Sequence, residues 1–194
     1  MANTLKRTEK NRLLKQDIVN KTAVLFMDKR FFSMTIREIC EYIGISTGMF
    51  YRHFTSKNAL TQYCLMSALD DLDHKFESMI KDLSLEKQLI TYFKGVTECF
   101  CLHGRENIIM YLNSLNDSNR FVCTDRVNDV SNDIMRKAVA EGKAGNLRRE
   151  YGAISQDILM IVKGICYVWA VNEPDIDPII KVEDILTRTI DSLL

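Results

Sequence analysis

The chain is poor in helix breakers. Its 194 residues include two prolines and eight glycines, and no Asn-Gly pair separates alternating apolar and polar runs. A hairpin-built sheet has little to turn on and long helices have little to stop them, so an all-α fold is expected. An unbroken apolar stretch of about 18 residues, the length of a membrane span, is missing, and no span is expected. The opening MANTLKRTEK lacks an apolar signal core, which speaks against secretion and for a cytoplasmic protein. Also missing are a glycine-rich phosphate loop, Gly-x-Ser-x-Gly, His-Glu-x-x-His and any Asp/Glu cluster at metal spacing. The three histidines, His53, His74 and His103, are scattered. A helical enzyme of unknown reaction therefore stands only as the rival class. No catalytic residue, cofactor or metal ligand is assigned.

Net charge is zero, yet the charges are unevenly placed. Residues 1–57 hold eleven Lys/Arg and five Asp/Glu, a net of +6; the remainder holds 15 basic and 21 acidic residues, a net of −6. A basic end on an acidic body suits a protein that presents one end to a polyanion. From composition alone, a chance gradient over a solvated surface looks the same.

What decides between them is Thr35 to Phe54, TIREICEYIGISTGMFYRHF, followed by TSKNAL. Thr35 and Glu38 have capping-box spacing. Ile36, Ile39 and Ile43 share one helical face, with the small Cys40 beside them. Gly44 suits a left-handed helix end, and Ser46 suits the N-cap of a second helix. In that second helix Phe50 points to a core, Phe54 closes the unit, and Thr47, Gly48, Met49, Tyr51, Arg52 and His53 are left mostly outward. Ser56 can cap a third helix starting at Lys57. Two short helices joined by a glycine turn, the second bared and both aromatic and basic, is the construction that lays a helix in the DNA major groove.

Leu14 to Leu60 resembles the DNA-binding domain of the TetR family of repressors. The matching residues are Leu25-Phe26, Phe31-Phe32, Thr35 with Ile39-Cys40, Gly44-Ile45-Ser46, Tyr51-Arg52-His53-Phe54 and Lys57. Phe31 stands where glycine is common, and Cys40 where alanine is common. The resemblance implies a helix-turn-helix DNA-binding domain over residues 1–56 and a helical effector-binding and dimerisation domain over 57–194. It puts Tyr51, His53 and Lys57 on phosphates. Thr35 and Ser46, at helix N-termini, also suit phosphate. Thr47, Gly48, Met49 and Arg52 are candidates for base edges, Arg52 for guanine O6 and N7, with a phosphate contact as its alternative. Arg37 has three open readings: a base, a phosphate, or a surface pair with Glu41. Lys6, Arg7 and Lys10 form either an arm along the DNA backbone or a solvated tail.

About nine helices are expected. The first runs near 9–30, the fourth from Ser56 to about Ile80, and a break falls at 82–84. A fifth reaches about Leu102, a sixth about Leu115, and a loop covers 116–119. A seventh spans roughly 120–141, an eighth 153–171, a rigid loop 172–178, and the last starts at Val182. The resemblance implies a dimer through the last two helices, with Ile158, Ile161, Ile165, Val182, Ile185, Leu186, Ile190 and Leu193 at the interface; packing inside one subunit is the alternative. Gly164 suggests close helix packing. The implied effector is a small hydrophobic molecule among the middle helices. Tyr63, Met66, Phe93, Phe100, Met110, Tyr111, Met135, Tyr167 and Trp169 are candidate walls, or ordinary core. The expected partners are double-stranded DNA, a second copy and this effector. Switching by a protein partner or by oxidation of Cys99, Cys101 or Cys123 is the alternative; buried, reduced thiols are the default for all six cysteines.

Overall fold

The computed structural model describes residues 2–27, 30–80, 82–102, 104–106, 108–109, 122–145, 147–171 and 175–194. Among them every regular element is helical. The elements are α1 (Ala2–Met27), α2 (Arg30–Ser33), α3 (Ile36–Ile43), α4 (Thr47–His53), α5 (Lys57–Ile80), α6 (Leu85–Cys101), α7 (Val122–Ala140), α8 (Tyr151–Val171) and α9 (Pro178–Leu193). The expected first helix divides into α1 and the one-turn α2. Because α1 already begins at Ala2, Lys6, Arg7 and Lys10 stand on a helix and not on an extended arm. The last helix starts at Pro178, four residues earlier than expected. Asp177 Oδ1 accepts from the Ile179 and Ile180 amides at 2.8 and 3.1 Å, and a proline in the first turn gives up an N–H that has no helical partner there. The end of the expected sixth helix, the 116–119 loop and Pro174 lie outside the described residues.

The chain divides into two compact units, Met1–Cys64 and Leu65–Leu194. In the first, α1 packs on α2 and α3, and α3 on α4. Ile18, Leu25, Phe31, Ile39, Phe50 and Leu60 are fully buried there. At ~1.5–3 kcal/mol for each buried large apolar side chain, these six hold the short helices, which are too short to persist alone.

In the second unit α6 packs on α7, α8 and α9, and α8 on α7 and α9. Its core includes Leu69, Leu89, Tyr92, Phe93, Val96, Val127, Met135, Ile154, Ile158, Val162, Val182 and Leu186. A Cβ at the buried Gly95 of α6 would lie 2.4 Å from Leu72 Cδ1 of α5, so the Leu72 side chain would have to shift to admit one. By length and composition α8 is apolar enough to cross a membrane. Asp157 and Lys163 interrupt its apolar run, so the helix holds no unbroken apolar stretch of that length. Packing against three helices gives that apolar content a use within the unit. Between α7 and α8, Ser131 Oγ lies 2.6 Å from Ser155 Oγ, which donates to Asn132 Oδ1 at 2.8 Å. Arg126 of α7 donates to Asp73 of α5 at 2.7 Å and also pairs with Asp70.

Candidate nucleic-acid interface

The local chemistry of Thr35–Phe54 folds as its residue types dictate. Thr35 Oγ1 accepts from the Glu38 amide at 3.3 Å, and the Thr35 amide donates to Glu38 Oε2 at 2.6 Å, completing the capping box. Gly44 ends α3 in the left-handed region (φ 74°), its N–H donating to Cys40 O. Ser46 Oγ accepts from the Met49 amide at 3.1 Å and starts α4. Phe50 is buried; it lies 5.7 Å from Phe54, which in turn lies 5.6 Å from Tyr63. With Phe50 anchored inward, Thr47, Gly48, Tyr51 and Arg52 are exposed, and Met49 and His53 are half-buried. Ser56 Oγ accepts from the Ala59 amide at 3.0 Å and starts α5.

Two of the expected phosphate ligands, Thr35 and Lys57, have donors engaged within the protein. The Thr35 hydroxyl donates to Glu38 Oε2 at 2.8 Å, so both Thr35 donors serve an anion within its own helix, and that carboxylate repels a phosphate. Lys57 Nζ donates to the Phe32 and Met34 carbonyls, each at 2.9 Å, and sits 5.0 Å from the Phe31 ring centre. Two of its three N–H groups are thereby committed. Burial lowers its proton affinity. His53 is held below its ordinary pKa of 6.5 by burial and by the charges of Lys15 and Arg52. It is therefore mainly neutral at pH 7 and offers one N–H, not an extra positive charge. Arg37 makes the surface pair with Glu41, at 3.0 Å. An exposed i,i+4 pair is worth ~0.3–0.5 kcal/mol, too little to withhold Arg37 from a stronger anion. Lys15 was not foreseen: it lies over the Phe54 and Tyr63 rings at 5.6 and 5.2 Å. Only the fold brings position 15 to position 54.

Residues 18–64 match the family model of bacterial regulatory proteins of the tetR family. The chain is 26% identical over 144 residues to the HTH-type transcriptional repressor DhaR of Mycobacterium sp. strain GP1, covering 71% of each protein. Residues 18–64 carry the resemblance to the TetR family. The fold as a whole is shared by solved transcriptional regulators. The FadR repressor of Thermus thermophilus, in complex with lauroyl-CoA, superposes with a TM-score of 0.73 at 16% identity, covering 93% of this chain and 94% of that one. FadR of Bacillus subtilis, in complex with stearoyl-CoA, superposes with a TM-score of 0.69 at 12% identity, covering 92% and 98%.

Among the described residues, five of the expected pocket residues share one core and two do not. Tyr63 belongs to the first unit, where its ring lies against Phe54. Phe93, Phe100 and Met135 are buried in the core of the second unit, Met66 and Trp169 pack partly buried against it, and Tyr167 is exposed. Met110 and Tyr111 lie outside the described residues. Two open clefts are lined by other residues. One, of 860 Å³, includes Phe76, Ile80, Val130, Ile134 and Lys137. The other, of 510 Å³, includes Leu72, Met79, Ile90 and Leu102.

The dimer expectation is also corrected in part. Ile158, Val182, Leu186 and Ile190 are at most 2% exposed within the single subunit, so no second copy can reach them. Ile161, Ile165, Ile185 and Leu193 are half-buried. The apolar residues left open on α8 are Met160, Tyr167, Val168 and Val171, and the exposed Gly164 lies among them. Their spacing of four, three, one and three residues keeps them on one helical face.

The cysteines are shielded. Burial pushes Cys64 and Cys99 up to about 12 and Cys123 to about 11. Cys101 lies 4.0 Å from Cys166, and that hydrogen-bonded contact, with burial, raises its thiol further. Such thiols stay protonated and slow to react at pH 7.

Proposed function

We propose that the chain is a ligand-responsive repressor that binds a two-fold operator as a homodimer in the cytoplasm. The observation that carries this reading is the division of α4: Phe50 is locked in the core while Thr47, Gly48, Tyr51 and Arg52 face solvent. A helix so held can enter the major groove without rearranging the unit. In this reading Arg52 reads a base edge, with Thr47, Gly48 and Met49 packing against neighbouring bases. Tyr51, Ser46 and neutral His53 hold phosphates and fix register. Residues 1–56 do the reading and residues 57–194 carry dimerisation and effector binding. The two-fold partner sits on the Met160, Gly164, Tyr167, Val168 and Val171 face of α8, because one helix-turn-helix alone spans only a half-site.

The effector class follows from the relatives. Two FadR regulators of this fold carry acyl-CoA thioesters, and the clefts of the second unit have apolar walls, Phe76, Ile80, Val130 and Ile134 in one and Leu72, Met79, Ile90 and Leu102 in the other. An effector with an apolar chain fits such walls. The experiment is a selection of duplexes from a random-sequence pool, followed by titration of the selected duplex with and without lauroyl-CoA. The reading expects a palindromic site and release by the thioester. A pool from which no sequence is enriched at low salt would refute the DNA-binding part; binding indifferent to lauroyl-CoA and to other acyl thioesters would refute the effector class.

A further inference from the structure

The corner between α2 and α3 is gripped from two sides by groups of opposite charge. On one side Glu38 takes the Thr35 N–H. On the other, the Lys57 ammonium bridges the Phe32 and Met34 carbonyls, 2.9 Å from each. Carbonyls at a helix C-terminus lack intrahelical donors and lie at the negative end of the dipole, where a cation is favoured. The face of Phe31, fully buried, forms the seat beneath the ammonium at 5.0 Å. Lys57 lies 25 and 23 positions from its two acceptors, and it is the first residue of α5. One side chain thus ties the start of the long helix to the residue that leads into the Thr35 cap.

We propose that Lys57 is a positioning residue: it fixes the α2–α3 corner, and through α3 the direction in which α4 is offered to DNA, and it is not a phosphate ligand. The inference rests on the DNA-binding reading above. Phe31 is part of the same grip, because its ring face seats the ammonium.

The test uses the full chain, the duplex that the wild-type protein selects from a random pool, and a scrambled duplex of the same length. Lys57→Met and Phe31→Leu are titrated on both over a range of salt. In Lys57→Met, affinity for the selected duplex falls by about tenfold, while affinity for the scrambled duplex and the salt dependence stay as in wild type. Phe31→Leu removes no charge, yet it lowers the same selected-to-scrambled ratio. Equal losses on both duplexes, with a log–log salt slope shallower by about 0.9 per lysine, are the signature of a lost phosphate contact and would overturn the proposal. Amide hydrogen exchange reads the corner without DNA. Lys57→Met should exchange faster from Thr35 to Ile39, and unchanged exchange there would also overturn it. If the wild type selects no duplex, the DNA-binding reading fails, and the exchange measurement alone decides whether Lys57 holds the corner.

Discussion

Gly164 stands in the second half of α8, exposed, and a Cβ built there meets no atom within 4 Å. Alanine outranks glycine in a helix interior by ~0.8–1.0 kcal/mol. With nothing in the subunit to oppose the methyl, Gly164→Ala should stabilise the isolated subunit by about 1 kcal/mol. For a chain of this size that is a rise of about 2–4 °C in melting temperature. The dimer should respond in the opposite direction. Met160, Tyr167 and Val168 flank the glycine on the proposed contact face, and a methyl pressed into a close helix crossing costs ~1–3 kcal/mol. That loosens the dimer by about 5- to 150-fold. Sedimentation over a dilution series gives the dissociation constant, and thermal unfolding at the lowest concentration gives the subunit's own stability. A variant that dimerises as tightly as wild type would refute the assignment of this face. A variant less stable as a monomer would refute the claim that the space over Gly164 is open.

Three other outcomes follow from the same structure. Arg52→Ala should lose ~1–3 kcal/mol of discrimination at one base pair per half-site; equal losses on every operator variant in a binding titration would assign Arg52 to a phosphate. Glu38 is held below the usual carboxylate range first by the Thr35 amide and then by its hydroxyl. The native state thus binds its proton less readily than the unfolded chain, so the stability it lends is present above the unfolded value and is lost as pH falls through the lowered one. Acid titration of Glu38→Gln should accordingly show a flatter loss of stability below about pH 5 than wild type, and superposed profiles would refute the role of the cap. Because burial raises the Cys64, Cys99 and Cys123 thiols, an aromatic disulfide reagent at pH 7 should label the native protein slowly and the unfolded protein at all six cysteines; fast labelling of Cys99 or Cys123 in the native state would instead support a thiol sensor.

The readable parts of the chain were those governed by near neighbours. The Thr35–Glu38 box, the Gly44 turn and the Ser46 cap each span three or four residues, so residue type alone fixes them. The inward pointing of Phe50 followed from helical period. Contacts across long separations carried no local signal: Lys57 with Phe32, Lys15 with Phe54, and Tyr63 with Phe54 appear only once the chain is folded. Ile158, Val182, Leu186 and Ile190, expected at a dimer interface, are covered by the subunit's own core: periodicity marks an apolar face but does not say which body covers it. Pro178 opens the last helix and does not close the loop before it, since a proline fits the first turn. Met66, Phe93, Phe100, Met135 and Trp169 gather in one core, as aromatic and methionine side chains do in any core, with or without a cavity.

The most direct test of the account is the footprint of the wild-type protein on the duplex it selects. A helix α4 seated in the major groove of each half-site predicts protection of two symmetric half-sites on one selected sequence, lost when Arg52 and Thr47 are both changed to alanine. Uniform protection without sequence preference, or a footprint unchanged in that double variant, would contradict it.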